Sequence, residues 1–463
     1  MNMGIKYYSI GTICMLLYAC TIGPKYVKPT VEIPSTYKEA PKGWKIAHPR
    51  DTEEHGSWWK MFTDQKLNHL ETILNKKNLS IKQAEAQYQA ALALVKEAKT
   101  AFFPTIEVTA ADTRQKQSIP NSLVSNTYNL GLNASWEPDL WGIVKRSVEA
   151  SSAGAESSAA ALAATRLAMQ ASLAQLYFQL RILDLNQRSL NNIVIAYEQS
   201  LQIIKNQYQQ GVAARLNILQ AETAFLTAKT NAVDNGILRA QYEHSIAVLI
   251  GQVPAKFSIK PLFSKIVTPA IPKSVPSSLL ERRPDIAQAE RLVTQANANI
   301  GVAMGAFFPA ITLSATSGFQ NSSLSQWITS PARFWSLGSQ VAETLFDGGL
   351  NSAKVEAAKA NYDQTVANYR QIVLQAFQNV EDGLVSVSHL QQEDLAQQQV
   401  VDKAKQALTI TLNEYKAGTI AYLNVLTAQN TLYTAEQTAA TVRGRLLVST
   451  VSLITALGGG YNK

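Results

Sequence analysis

Cysteine is almost absent from this chain of 463 residues: there are two, Cys14 and Cys20, both near the N-terminus. The body of the protein therefore has neither a disulfide framework nor a thiolate metal site. Histidine is also sparse. His48, His55, His69, His244 and His389 stand apart, and no two share metal-ligand spacing. No phosphate-binding loop occurs, and no Ser/His/Asp or Cys/His set is apparent. Gly458-Gly459-Gly460 has no strand before it and reads as the end of a last helix; Glu281, Asp285 and Glu290 read as acids at a helix start. The expectation is a protein without catalytic residues, metal ligands or cofactor. Charge is scarce too: 16% of residues are charged and 46% apolar, which excludes a disordered chain. The net charge of +8 comes from scattered Lys and Arg with no run of five like charges. That describes a solvated basic surface and gives no reason to expect nucleic acid.

Proline is missing from two long tracts. None lies between Pro138 and Pro254, and none follows Pro331. Both tracts are rich in Ala, Gln, Leu and Glu, and both predict very long helices. Elsewhere proline crowds. Pro24, Pro29, Pro34, Pro41 and Pro49 mark an extended lead-in, and Pro254, Pro261, Pro269, Pro272, Pro276 and Pro284 mark a connector. Leu190, Val194, Tyr197, Leu201, Ile204 and Tyr208 form a heptad seam, and a shift of 207 residues gives a weaker one at Gln397, Val401, Ala404, Leu408, Thr411 and Tyr415. Gly211 and Gly418 follow the last tyrosine of each seam and suit the C′ position of a helix that reverses. Each tract thus reads as a helical hairpin.

The hairpin tips repeat one another. Gln207–Glu222 and Glu414–Gln429 match at 7 of 16 positions, while Ala101–Ala111 and Ala306–Thr316 match at 6 of 11, offset by 205. Pro104 and Pro309 close a helix and open a strand. Tyr128, Leu130, Leu132, Ala134 and Trp136 alternate with polar residues, as do Ile311, Leu313 and Ala315; a last strand is expected over Phe334–Phe346, with Trp335, Leu337 and Val341 on one side. Each half reads helix, strand, loop, strand, helix, tip, helix. Two strands per half make four, too few to close a barrel, yet a membrane forbids an open sheet edge. Several chains sharing one barrel, continued by the helical hairpins, would resolve this. The alternative is a soluble protein with strands packed on helices.

The first twenty residues carry Lys6, an apolar stretch from about Ile10 to Ala19, and Cys20. The stretch is short for a membrane span, which needs ~20 residues, and has the length of a secretory signal. Leu17-Tyr18-Ala19-Cys20 resembles a bacterial lipobox, which implies cleavage before Cys20 and lipid attachment there. An ordinary signal with an incidental cysteine, or an uncleaved anchor, is the other reading. The expected division is 1–19 signal peptide, 20–62 lead-in, 63–251 first repeat, 252–280 connector, 281–460 second repeat and 461–463 tail.

Several features in order resemble the TolC-like outer-membrane factors, in particular the lipoprotein branch of multidrug efflux outer-membrane components. They are Cys20 followed by Gly23-Pro24-Lys25-Tyr26 and Pro29; Trp58-Trp59; the two Ala-Phe-Phe-Pro entries to strands; Leu280 to Ile286; and Leu457 to Gly460. The resemblance covers nearly all of the mature chain. It implies a mixed α and β membrane protein: a homotrimer with a twelve-stranded outer-membrane β-barrel, four strands per chain, and a long α-helical tunnel in the periplasm. It implies a passive exit duct for small molecules, lipid-anchored in the outer membrane. A periplasmic adaptor (a membrane fusion protein) and an inner-membrane transporter of the RND type would be its partners. A duct for type I protein secretion and a non-conducting periplasmic coiled-coil lipoprotein are the alternatives.

Under that resemblance Gly211, Val212, Ala213, Arg215 and Asn217, with Gly418, Thr419, Ile420 and Asn424, belong to the periplasmic aperture. Tyr128, Leu130, Leu132, Trp136, Ile311, Leu313, Trp335 and Leu337 are the candidates to face lipid. Relatives often carry an acid after Gly-Thr and an aspartate after the tip leucine; here these positions hold Ile420, and Asn217 and Asn424. Ile420 then either forms an apolar gate that works by dewetting or packs between neighbouring helices. Arg215 is a candidate to face a neighbouring carboxylate at the tip.

Overall fold

The computed structural model describes residues 22–31, 37–38, 56–116, 124–263, 266, 268–269 and 283–459. Cys20, Glu281 and Gly460 lie outside the described residues. In chain order the elements are α1 (Gln65–Lys77), α2 (Leu79–Thr100), β1 (Thr105–Lys116), β2 (Val124–Trp136), α3 (Ile143–Gln209) and α4 (Arg215–Leu249). There follow α5 (Pro284–Gly305), β3 (Ala310–Asn321), β4 (Arg333–Ala342), α6 (Leu350–Lys416) and α7 (Tyr422–Ala456).

The two halves agree closely, although β2 has 13 residues and its counterpart β4 has 10. α2 and α5 are each 22 residues, β1 and β3 each 12, α3 and α6 each 67, and α4 and α7 each 35. The offset is 205 through β1 and β3 and becomes 207 from the start of α3 and α6 onward. The extra two residues therefore fall between the first strand of each half and its long helix, where loops accept insertions. At 1.5 Å per residue a 67-residue helix is ~100 Å long. Both long helices begin after an aspartate. Asp139 accepts from the amides of Val144 (3.0 Å) and Lys145 (2.8 Å). Asp347 accepts from Gly349 and Asn351, each at 2.8 Å. Those carboxylates satisfy N–H groups that the helix itself leaves open.

The chain forms two compact units. The first holds the sheet, in which β1-β2-β3-β4 pair in sequence order, all antiparallel. The β2–β3 pairing joins the two halves, from Tyr128 opposite Asn321 to Trp136 opposite Leu313. β1 and β4 remain as edges. β4 stops at Ala342, short of the expected Phe346. The reason is its partner: Ala342 pairs with Ala310, the first residue of β3, and nothing in the sheet remains for 343–346 to pair with.

The second unit holds the main core. Trp58, Phe62, Leu67, Leu70 and Leu74 pack with Phe178 and Leu180 of α3, Ile246 of α4, and Leu447 and Val451 of α7. Asp64 starts α1 by accepting from the amides of Lys66 and Leu67, and it also binds Tyr177 and the buried Arg181. The connector is tied down by charge. Arg239 pairs with Asp184 (2.7 Å) and Glu243 (2.7 Å) and donates to the carbonyl of Ile259; Asp184 also accepts from the amide of Leu262. Arg443 donates to the carbonyl of Ile266.

In the first heptad seam Leu190, Tyr197, Leu201 and Ile204 are buried and Val194 half-buried, but Tyr208 is exposed. In the second only Ala404 is buried. Glu290 is not a helix-start acid. It sits more than a turn inside α5 and binds the Tyr26 hydroxyl and the Lys28 ammonium.

Candidate functional site

The register sorts the sheet into two faces. Val108, Leu132, Ser317 and Trp335 lie in one row across the four strands, and Ile106, Ala134, Ala315 and Leu337 in the next. Side chains alternate along a strand, so Tyr128, Leu130, Leu132, Trp136, Ile311, Leu313, Trp335 and Leu337 all share this face. Trp335 and Leu337 are more than 70% exposed. Ile106, Val108 and Val341 share it and are nearly as open. Ile106 and Val108 were missing from the sequence-derived set, although the alternation of β1 carries the same signal. At the far end of the sheet the Trp327 indole N–H donates to the carbonyl of Phe319, and its ring lies 5.9 Å from that of Tyr128.

The opposite face is polar. The Asn133 amide donates to the Thr109 hydroxyl at 3.1 Å, and Thr316, Ser336, Ser314 and Gln340 lie on the same side. A strand with one apolar and one polar face fits a wall between lipid and water.

The helical tips belong to the second unit. Gly211 and Gly418 adopt φ of +77° and +76°. The amide of Gly211 donates to the carbonyl of Tyr208 and that of Val212 to Gln207; Gly418 donates to Tyr415 and Thr419 to Glu414. Both α3 and α6 therefore end in the same glycine-centred motif, which satisfies two otherwise open carbonyls. The two turns are brought together, although 207 residues separate them. Leu201, Ile204, Ala221, Tyr422 and Val425 form one buried cluster, with Ala213 and Ile218 against it. The rings of Tyr415 and Tyr422 are 5.8 Å apart, and the Tyr415 hydroxyl donates to Gln207. The Tyr197 hydroxyl donates to Asn430 at 2.7 Å, and burial pushes its pKa up to about 12.

Around that cluster Gly211, Val212, Arg215, Gly418, Thr419 and Asn424 are exposed, while Ala213, Asn217 and Ile420 are half-buried. Thr419 donates its hydroxyl to the carbonyl of Glu414. Among the described residues no carboxylate of this chain pairs with Arg215. Neither α4 nor α7 has an acid in its first turn. Tyr422 and Val425, which hold the two tips together, were not among the sequence candidates.

The family model for outer membrane efflux proteins matches residues 72–252 and 275–459. Cation efflux system protein CusC of Escherichia coli O6:H1 is 26% identical over 460 residues, 97% of this chain and 98% of the relative. Probable outer membrane lipoprotein SilC of Salmonella typhimurium is 27% identical over 460 residues, 99% of each chain. Among solved structures the outer-membrane channel OprN superposes with a TM-score of 0.88 at 29% identity, covering 95% of this chain and 99% of that one. The open state of the Neisseria gonorrhoeae MtrE outer membrane channel gives 0.83 at 28% identity, covering 95% and 98%. These neighbours are trimeric channels with a helical tunnel, and this chain has a four-stranded antiparallel sheet and the same long helices. The family model matches across both repeats, and this chain is a member of the outer membrane efflux protein family.

Proposed function

We propose that this chain is the passive exit duct of a tripartite system that expels small molecules, energised by an RND-type inner-membrane pump and joined to it by a periplasmic adaptor. The observation that carries the reading is the family match across both repeats. The sheet, with one apolar face, one polar face and two unpaired edges, supports it. Three chains, each closing an edge of β4 against β1 of the next, leave no edge in lipid. Tyr128, Leu130, Leu132, Trp136, Ile311, Leu313, Trp335 and Leu337 face lipid, and the polar face lines the pore. Cys20 carries the lipid anchor; the relative SilC is named as an outer membrane lipoprotein. The duct performs no catalysis.

At the periplasmic end, six tips from three chains form the aperture around Gly211 to Asn217 and Gly418 to Asn424. With no carboxylate in either stretch, the closed state rests on apolar contact at Ile420, which resists ions by dewetting. The test is single-channel conductance of the purified, lipidated trimer in a planar bilayer. The expected result is a small wild-type conductance that rises several-fold in Ile420→Ala. Silence from protein shown to be a folded trimer would overturn the duct. Equal conductance in wild type, Ile420→Ala and Ile420→Asp would remove the apolar gate and leave the duct standing.

A further inference from the structure

The segment Ile22–Lys28 is held along its whole length by side chains of the sheet-bearing unit. Arg146, in the first turn of α3, donates from Nε to the carbonyl of Ile22 (2.8 Å) and from Nη2 to that of Gly23 (3.2 Å), while Nη1 pairs with Glu149 (2.8 Å). Its guanidinium fork thus grips two successive peptide carbonyls and keeps its own charge paired. The amide of Ile22 donates to the carbonyl of Trp141. Farther along, Asn297 donates to the carbonyl of Pro24 (3.0 Å), and Glu290 binds Tyr26 and Lys28 (3.3 Å each).

Two glycines make the approach possible. Gly23 has φ of +95°, and a Cβ there would stand 2.5 Å from the Cα of Gly301. A Cβ on Gly301 would stand 2.9 Å from Cγ of Arg146. No larger residue fits at either position without moving backbone or the arginine. As the segment advances from Gly23 to Lys28, its partners on α5 recede from Gly301 to Glu290. It runs antiparallel to α5, whose C-terminal end leads into β3. Trp141, which receives Ile22, follows the last residue of β2 by five positions and donates its indole N–H to the carbonyl of Pro309, just before β3. The gripped end is therefore at the base of strands β2 and β3.

We infer that the Arg146–Gly301 grip on Ile22 and Gly23 is a positioning device that sets the lipid anchor at the base of the strands without slack. The inference rests on the reading that Cys20 is acylated. Two peptide units separate Cys20 from Ile22, so ~7 Å bounds their Cα separation whatever the path. A short tether makes the acyl chains and the strand bases meet the membrane interface together. A long flexible one lowers their effective concentration there. The grip therefore couples lipid insertion to insertion of the barrel.

The test uses the full chain in outer-membrane fractions, with the mass of the N-terminal peptide reporting acylation and heat-modifiable, SDS-resistant trimer reporting assembly. A ten-residue Gly/Ser linker inserted between Thr21 and Ile22 leaves the grip intact but adds ~17 Å of reach. Arg146→Lys keeps the charge beside Glu149 but loses the fork that spans both carbonyls. Each change is expected to slow trimer appearance about fivefold, and the double variant is expected to be no slower than either alone, as for two changes acting on one coupling. Thermal dissociation of the linker variant in detergent should match wild type. A harmless linker, or effects that multiply in the double variant, would overturn the inference and assign Arg146 to helix packing alone. A peptide without acyl chains would overturn the lipid-anchor reading itself and the inference with it.

Discussion

Glu71 is fully buried in the core between Leu70 and Leu74, and neither of its carboxylate oxygens has a hydrogen-bond partner among the described residues. Burial alone pushes its pKa well above the usual carboxylate range. In the unfolded chain a glutamate loses its proton at pH ~4.3, whereas in the fold this one gives it up only at a higher pH. Above the unfolded value the native state binds more protons than the unfolded state, so stability falls as pH rises toward the native pKa. Glu71→Met keeps the volume and removes the acid. It should raise resistance to unfolding by about 1–3 kcal/mol at pH 8, the cost of an unpaired buried polar group, and by less near pH 5. Denaturant titrations at the two pH values measure the difference, and an equal gain at both would mean that Glu71 binds no more protons in the fold than in the unfolded chain. The contrast with Asp184 is instructive. That residue is as buried, but it is paired with Arg239 and accepts from the amide of Leu262, so its charge is answered within the core.

The tip turns show how little sequence a helical reversal needs. Nothing lies within 4 Å of a Cβ built on Gly211 or Gly418, so space does not require glycine there. The positive φ does, because a side chain in the left-handed region costs ~1–2 kcal/mol. Gly211→Ala and Gly418→Ala should each destabilise the trimer by about 1 kcal/mol and raise amide exchange in the last turn of α3 or α6. Asparagine at either position should cost less, since it tolerates that conformation better. An alanine variant with unchanged exchange would show that the reversal does not depend on φ. The two tips are not equivalent despite their shared motif. Tyr415 turns inward to Gln207 and Tyr422, while Tyr208, its counterpart, is exposed.

The whole molecule is incomplete as one chain. β1 and β4 present unpaired edges of 12 and 10 residues, and the helices leave Leu216, Leu226, Val233, Leu374, Leu395 and Leu423 exposed. The structural neighbours are trimers, and a trimer offers each open edge a strand of the next chain to pair with. The sheet faces then carry opposite tolerances. On the proposed orientation Trp335→Arg or Leu337→Arg would place a charge in lipid, at a cost of ~2–4 kcal/mol near the midplane, and should abolish the SDS-resistant trimer or lower its dissociation temperature. Ser336→Arg lies between them on the polar face; it should assemble normally and shift the selectivity of the pore toward anions. Normal assembly of the Trp335 and Leu337 variants would place the apolar face away from lipid.

Much of this architecture follows from local signals. Runs without proline, a 3.5-residue apolar period and glycine at the reversal specify the long helices and their tips, because each depends on neighbours within a turn or two. Alternation places Tyr128 to Trp136 and Trp335 with Leu337 on single faces for the same reason, and the duplication doubles every such signal. What stayed hidden depends on residues far apart in the chain. The β2–β3 pairing, the meeting of Tyr415 with Gln207, and the grip of Arg146 on Ile22 all require a partner more than a hundred residues away, and the early end of β4 at Ala342 depends on where β3 begins, 32 residues earlier. Glu290 reads as a helix-start acid until Tyr26 and Lys28 arrive beside it. Sequence periodicity can say which face of an element is apolar; which surface covers it is settled by packing, where buried area and paired hydrogen bonds between distant segments outweigh local preference.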